Sequence, residues 1–180
     1  MPLLPRTIRL DPSDSLVFER AAEPGEWAVP GGFAFWDEAP ERMSGKRRQA
    51  FRSGFLGLTS FGWSTLVEVA EADAAAREQA VAALARHLVA AHGAPDEATA
   101  RPAAEEEIAF AESLCEGHPP GTALALSRSL EDGRLRERFR TLHRRETPHQ
   151  GFGRLPVFGI VQVEGEEEPV ERPDLTRLPR

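Results

Sequence analysis

The 180-residue sequence has a single cysteine, Cys115, and only one lysine among its 22 basic residues. One thiol cannot form a disulfide within the chain, and a lone thiol suits a reducing compartment. No apolar run approaches the roughly 20 residues that a membrane-spanning helix needs. The first six residues include two prolines and lack the apolar stretch of a signal peptide. These absences predict a soluble protein of the cytoplasm that has no membrane partner.

Motifs of catalysis and of cofactor binding are also missing. The glycines match neither the dinucleotide fingerprint nor the Walker pattern, and there is no Gly-x-Ser-x-Gly elbow. Cys115 and His118 have the spacing of a metal half-site, but a second cysteine is missing and Cys115 falls on the apolar face of a predicted helix. In a helix, five residues separate His87 from His92 by about 140° around the helix axis, too far apart to share a metal ion. We predict that both histidines lie at the surface. We expect no metal, no cofactor and no catalytic residue.

The composition predicts one domain and an acidic tail. Because 26 of the 73 apolar residues are alanine, only 47 are large enough to dominate a core, which suffices for one domain. We assign this domain to residues 1–163. Residues 164–180 combine six acids and three arginines with several prolines, and this composition predicts a flexible tail unless it docks on the domain.

Hydrophobic periodicity predicts an α+β fold, a mainly antiparallel sheet of about six strands with two or three helices packed on one face. The apolar residues over 134–143 fit a helical stripe as well as a strand pattern, so this segment is either a strand or a helix. The predicted helices cover 46–55, 72–92 and 102–116. The predicted strands cover 7–10, 16–20, 27–36 (as an edge strand, or as one broken at 30–32), 63–69, 122–130, 134–143 and 155–163.

Aromatic residues are concentrated in one segment, since eight of the 13 lie between residues 27 and 63. Such density favours a ligand pocket or a partner-binding patch, and it is equally typical of an alanine-rich chain that gathers its bulky core residues in one place. The candidate binding residues of this segment are Trp27, Trp36 and Trp63.

The arginines form a second candidate surface. In a strand over 134–140, the four residues Arg134, Arg136, Arg138 and Arg140 project from one face. Four guanidinium groups in a row need acids between them, supplied by the chain itself, by an acidic protein partner or by a phosphate-bearing ligand. The net charge of −7 makes a nucleic acid an unfavourable partner.

Several strings resemble those of a small bacterial family that has no assigned function, over roughly residues 6–146. The resemblance implies an accessory role, linked to metalloenzyme or cofactor maturation, and it transfers no active-site residue. The strings that carry it are Thr7–Asp14, Trp27–Gly31, Phe51–Gly57, Phe61–Thr65 and Ala103–Phe110.

These patterns support two hypotheses. The first is a non-catalytic accessory protein of the bacterial cytoplasm that meets an acidic or apolar protein partner. The alternative is a small-ligand-binding domain, or an enzyme of unfamiliar type, whose pocket is walled by Trp27, Trp36 or Trp63 and holds an anion with an arginine from 47–52 or 134–140. A homodimer is compatible with both hypotheses.

Overall fold

A computed structural model of the chain describes residues 1–144, 160–162 and 170–171. Within these residues the chain forms two antiparallel sheets and four α-helices, which confirms the α+β class. The strands divide between a larger sheet and a smaller one, whereas the sequence predicted one sheet. No helix within the described ranges is long and apolar enough to cross a membrane.

The larger sheet follows the order β1-β5-β6-β7, and two short strands, β8 and β9, pair with different parts of β7. The predicted hairpin over 122–143 is present, so 134–143 is a strand. Its turn has positive φ angles at Asp132 (53°) and Gly133 (73°), the geometry that joins twisted strands most closely. The strands are β1 (Leu3–Ile8), β5 (Leu66–Glu71), β6 (Ala123–Glu131), β7 (Arg134–Arg144), β8 (Ile160–Gln162) and β9 (Val170–Glu171).

The smaller sheet consists of β2 (Ala28–Val29), β3 (Phe55–Gly57) and β4 (Trp63–Ser64). The prediction of one strand over 63–69 was wrong, because the chain leaves the smaller sheet at Thr65 and enters β5. The buried carboxylate of Asp14 causes this break, since it accepts hydrogen bonds from the Thr65 hydroxyl (2.6 Å) and backbone N–H (3.3 Å).

The helices are α1 (Asp14–Val17), α2 (Gly45–Ser53), α3 (Ala74–Ala91) and α4 (Glu97–Cys115). Side chains of Ser44, Asp73 and Asp96 cap α2, α3 and α4 by accepting backbone N–H bonds in the first turn. The cap at Asp96 starts α4 five residues before the predicted Pro102. The strand predicted over 16–20 was wrong, since α1 occupies part of this segment.

The core lies where α4 packs on α3 and on the strands β1 and β2. The predicted stripe of α3 is buried at Val81, Leu84 and Ala85. The apolar face of α4 is buried too, from Ala104 to Cys115. Alanine is frequent at these positions, and its small side chain lets the two helices pack closely. The opposite side of α3 lines a surface cleft.

Candidate functional site

A cleft of about 640 Å³ opens between α3 and the loop 58–62, which connects β3 to β4. We call it the Phe61 cleft. Its volume lies in the range of small-molecule sites, and its walls are mainly apolar. The side chains that define its shape are Trp27, Phe61, Ala80, Ala83, Arg86 and His87.

The loop 58–62 is held in place by the carboxylate of Glu26. This buried group accepts backbone hydrogen bonds from Thr59 (3.0 Å), Ser60 (2.9 Å) and Glu23 (2.8 Å). Glycine is required at position 57, because a Cβ there would lie 2.3 Å from the Glu26 Oε2 atom. The loop is therefore a preorganised structure, in which one carboxylate fixes several backbone groups.

Phe61 has a φ of +54°, a left-handed conformation that a phenylalanine rarely adopts. This conformation costs about 1–3 kcal/mol and persists only where the surroundings enforce it. The result is that the Phe61 ring stacks flat on the imidazole of His87, with 3.8 Å between centroids and 5° between planes. The strained residue thus forms one wall of the cleft.

His87 and His92 lie close together, with ring centroids 5.1 Å apart, and the ring of Phe33 packs edge-on against His92. Both histidines are half-buried, where the sequence predicted surface positions. His92 lies at the C-cap of α3, where helical spacing no longer applies, and two phenylalanine rings cover the pair. Burial, and then the proximity of His92, lowers the pKa of His87 from 6.5 to about 4. His87 is therefore a neutral imidazole at pH 7, able to donate one hydrogen bond and accept another.

A second hollow of about 320 Å³ shares Phe61 with the cleft as a lining residue. We call it the basic recess. Its charged side chains are Glu19, Arg20, Lys46 and Arg47, and the indole of Trp63 forms part of its wall. Phe61 is therefore shared by an aromatic, apolar hollow and a cationic one.

Residues 1–158, which include the cleft, the basic recess and α1–α4, match a family of unknown function. The chain belongs to DUF6505. This confirms the resemblance that the sequence shows over residues 6–146. No curated protein and no solved structure matches this DUF6505 chain. Its function is therefore inferred from the geometry of its own residues.

The structure distributes the three tryptophans over three environments. Trp27 is half-buried and lines the Phe61 cleft, Trp63 is 7% exposed and belongs to the core, and Trp36 is 52% exposed. They do not share one pocket.

The stacked pair of Phe61 and His87 was not predicted from the sequence. Hydrophobic periodicity indicates helices and strands, but it does not reveal a residue with a positive φ angle. The two glycines at 57 and 62, flanking a short loop, were the available signal.

Three of the four arginines of β7 lie beside small residues of β6, since Arg136, Arg138 and Arg140 are opposite Ser129, Ser127 and Ala125, whereas Arg134 is opposite Glu131. Arg136 and Arg138 form ion pairs with Glu131, with nitrogen–oxygen distances of 3.1 and 3.8 Å. Arg134 and Arg140 are exposed. Neither hollow is lined by any of the four, so the structure does not join them to the tryptophans.

Sequence reasoning also missed a buried ion pair between Arg128 of β6 and Glu137 of β7, in which 3.6 Å separates the Arg128 Nε atom from the Glu137 Oε1 atom. The guanidinium of Arg128 donates to the carbonyls of Pro30 (2.6 Å) and Phe51 (2.7 Å), and so joins the larger sheet to β2 and the end of α2. The signal was an arginine and a glutamate on facing strands, each at a two-residue spacing from apolar residues and so on the same strand face as they are. Both residues point to the buried face, and their role is structural.

Cys115 is fully buried, as predicted. Burial raises the pKa of its thiol to about 12, so the thiol does not ionise at neutral pH. Within the described part of the chain, no three His, Cys, Asp or Glu side chains form a group that could hold a metal ion.

Proposed function

We propose that this chain binds a small molecule with a planar apolar group, and that the Phe61 cleft is the binding site. The observation that carries the proposal is the strained backbone of Phe61, which holds the ring against His87 as a wall of a surface hollow. Strain that is maintained in this way is typical of ligand sites.

The chemistry of the cleft favours binding over catalysis. Its described lining contains no cysteine and no carboxylate to act as a nucleophile, and the lowered pKa of His87 makes this imidazole a weak general base at pH 7. Alanines of α3 leave room for a ligand ring, while Trp27 and Phe61 offer aromatic surface for it. The neutral imidazole of His87 and the guanidinium of Arg86 are the polar groups that would orient the ligand.

The first test uses N-phenyl-1-naphthylamine, a neutral aromatic fluorophore, in an equilibrium fluorescence titration. We expect saturable binding at one site per chain, with a change in tryptophan emission because Trp27 lines the cleft. The variant Ala83→Phe fills the cleft and should weaken binding at least about tenfold, which corresponds to about 1.4 kcal/mol.

The matched control is Ala109→Phe, which places the same side chain on an exposed position of α4. It should bind the probe as the wild type does, and thermal melts of both variants should show that they fold. Equal affinity of Ala83→Phe and the wild type would exclude the cleft as the binding site.

An accessory role through protein contacts in the bacterial cytoplasm is the second candidate function. The exposed indole of Trp36 supports it, since large exposed aromatic side chains are frequent anchors of protein interfaces. The four arginines of β7 add a surface that suits an acidic partner, and a role in cofactor maturation fits both candidates. Trp36 does not line the Phe61 cleft, so substitutions there separate the two functions.

A further inference from the structure

We infer that the ligand of the Phe61 cleft carries an oxyanion, and that Lys46 and Arg20 hold this anion in the basic recess. The inference rests on the proposed function and adds the chemical class of the ligand, a planar ring bearing a sulfonate, phosphate or carboxylate. Three observations support this inference: the charges of the recess, the position of two of these charges at the start of α2, and the residue Phe61 that lines both hollows.

The first observation is the imbalance of charge in the basic recess. Three cationic side chains face one carboxylate there, and this carboxylate, Glu19, accepts a hydrogen bond from Ser44 (3.3 Å). Arg47 is already engaged, because it pairs with Glu38, donates to the Ala34 carbonyl (3.0 Å) and lies over the Phe35 ring.

Lys46 and Arg20 are left to bind a ligand. The ammonium group of Lys46 is exposed and makes no ion pair or hydrogen bond with the described residues. Arg20 makes one long hydrogen bond, 3.3 Å to the Ser60 carbonyl, which leaves the other N–H groups of its guanidinium available. Its contact with Ser60 places it beside the loop that presents Phe61. An oxyanion between these two side chains would receive charge-assisted hydrogen bonds from both.

The second observation is the unfavourable placement of positive charge on α2. The first turn of this helix contains Lys46 and Arg47 and no acid. Cations destabilise a helix N-terminus, where the helix dipole is positive. Glu38 offsets the charge of Arg47, whereas Lys46 has no such partner among the described residues. Local arrangements that oppose stability are expected at functional sites, and a bound anion would remove this one.

The third observation links the recess to the cleft. Phe61 lines both hollows, so a ligand whose ring lies in the cleft can place a substituent beyond Phe61 in the recess. An apolar ring in the cleft and an anion in the recess would then contact one shared side chain, Phe61.

The test compares two fluorophores that differ by one charged group. N-phenyl-1-naphthylamine is neutral, and 8-anilino-1-naphthalenesulfonate has the same rings with a sulfonate. We expect the wild type to bind the sulfonate probe at least about tenfold more tightly than the neutral probe at low salt. This preference should become smaller at 0.3 M salt, because salt screens ionic contacts. The double variant Arg20→Gln, Lys46→Gln should lose this preference and keep its affinity for the neutral probe.

The control variant Arg52→Gln removes an exposed arginine of the same helix that does not line the recess. It should bind both probes as the wild type does. Lys46→Gln adds a second readout, because removing a cation from the first turn of α2 should raise the melting temperature of the free protein by about 1–3 °C while lowering sulfonate affinity. A merely structural lysine would lower the melting temperature instead.

The outcomes distinguish the inference from the proposed function. Equal affinity for both probes, or equal weakening of both in the double variant, would overturn the oxyanion inference and leave the cleft as a binding site. Binding of neither probe would overturn the proposed function and the inference with it. A sulfonate preference that also disappears in Arg52→Gln would show a general effect of surface charge, and would overturn the assignment to Lys46 and Arg20.

Discussion

His87 shows how one side chain of the cleft couples its chemistry to the stability of the domain. Its imidazole is stacked on Phe61 and lies beside His92, which itself is influenced by Arg47 and Asp37. Protonation would place a positive charge in this partly buried, cation-rich environment. The folded protein therefore resists protonation of His87 until about pH 4, while the unfolded chain takes up the proton near pH 6.5.

We expect the melting temperature to fall as the pH is lowered from 6.5 to 4, because the unfolded state binds more protons than the folded state in this window. The variant His87→Phe keeps an aromatic ring against Phe61 and removes the titrating group. Its melting temperature should depend less on pH over the same window, with a residual slope from His92. Parallel curves for the variant and the wild type would contradict the role of His87.

At the scale of secondary structure, Arg128 and Glu137 hold β6 and β7 to the rest of the molecule. The guanidinium satisfies backbone carbonyls at Pro30 and Phe51, which lie at the ends of β2 and α2. Arg128→Met should lower the free energy of unfolding by about 3 kcal/mol or more, because it breaks a buried ion pair and removes the donors that satisfy these carbonyls.

Chemical denaturation at pH 7 measures this loss. Arg134→Met is the matched control, since it makes the same change at an exposed position of the neighbouring strand and should cost less than about 1 kcal/mol. Similar losses in the two variants would show that Arg128 contributes no more than a surface arginine.

The elements themselves were largely predictable from the sequence, whereas their ends were not. The α3 stripe of Val81, Leu84 and Leu88 and the β6–β7 hairpin follow from short-range periodicity and turn chemistry. The early start of α4 depends on the Asp96 side chain, and the break at Thr65 depends on Asp14, a residue 51 positions away. Periodicity contains no information on such distant hydrogen bonds.

At the scale of the whole molecule, the cleft is a product of tertiary structure. Its walls come from Trp27, from the loop 58–62 and from α3, three segments that are separated along the chain. The sequence indicated that aromatic residues concentrate between 27 and 63, but it could not show which of them would enter the core. The net charge of −7 also conceals the basic recess, because the charges that form it lie on α2 and near Arg20.

Because these segments meet only in the folded state, a ligand of the cleft should stabilise the whole domain. A ligand at 100 times its dissociation constant adds about 2.7 kcal/mol when it binds only the folded protein. For a chain of 180 residues this corresponds to a rise in melting temperature of about 5–10 °C. Naphthalene-1-sulfonate, which combines an apolar ring with an oxyanion, is the probe we would use in differential scanning calorimetry.

We expect Arg52→Gln to keep this thermal shift and Ala83→Phe to lose it, since only the second substitution fills the cleft. The double variant Arg20→Gln, Lys46→Gln should show a smaller shift at the same probe concentration, because its weaker affinity lowers the fraction of bound protein. A shift that is equal in all three variants would mean that the probe stabilises the protein from another surface. That result would exclude the Phe61 cleft and the basic recess as the site from which naphthalene-1-sulfonate stabilises the protein.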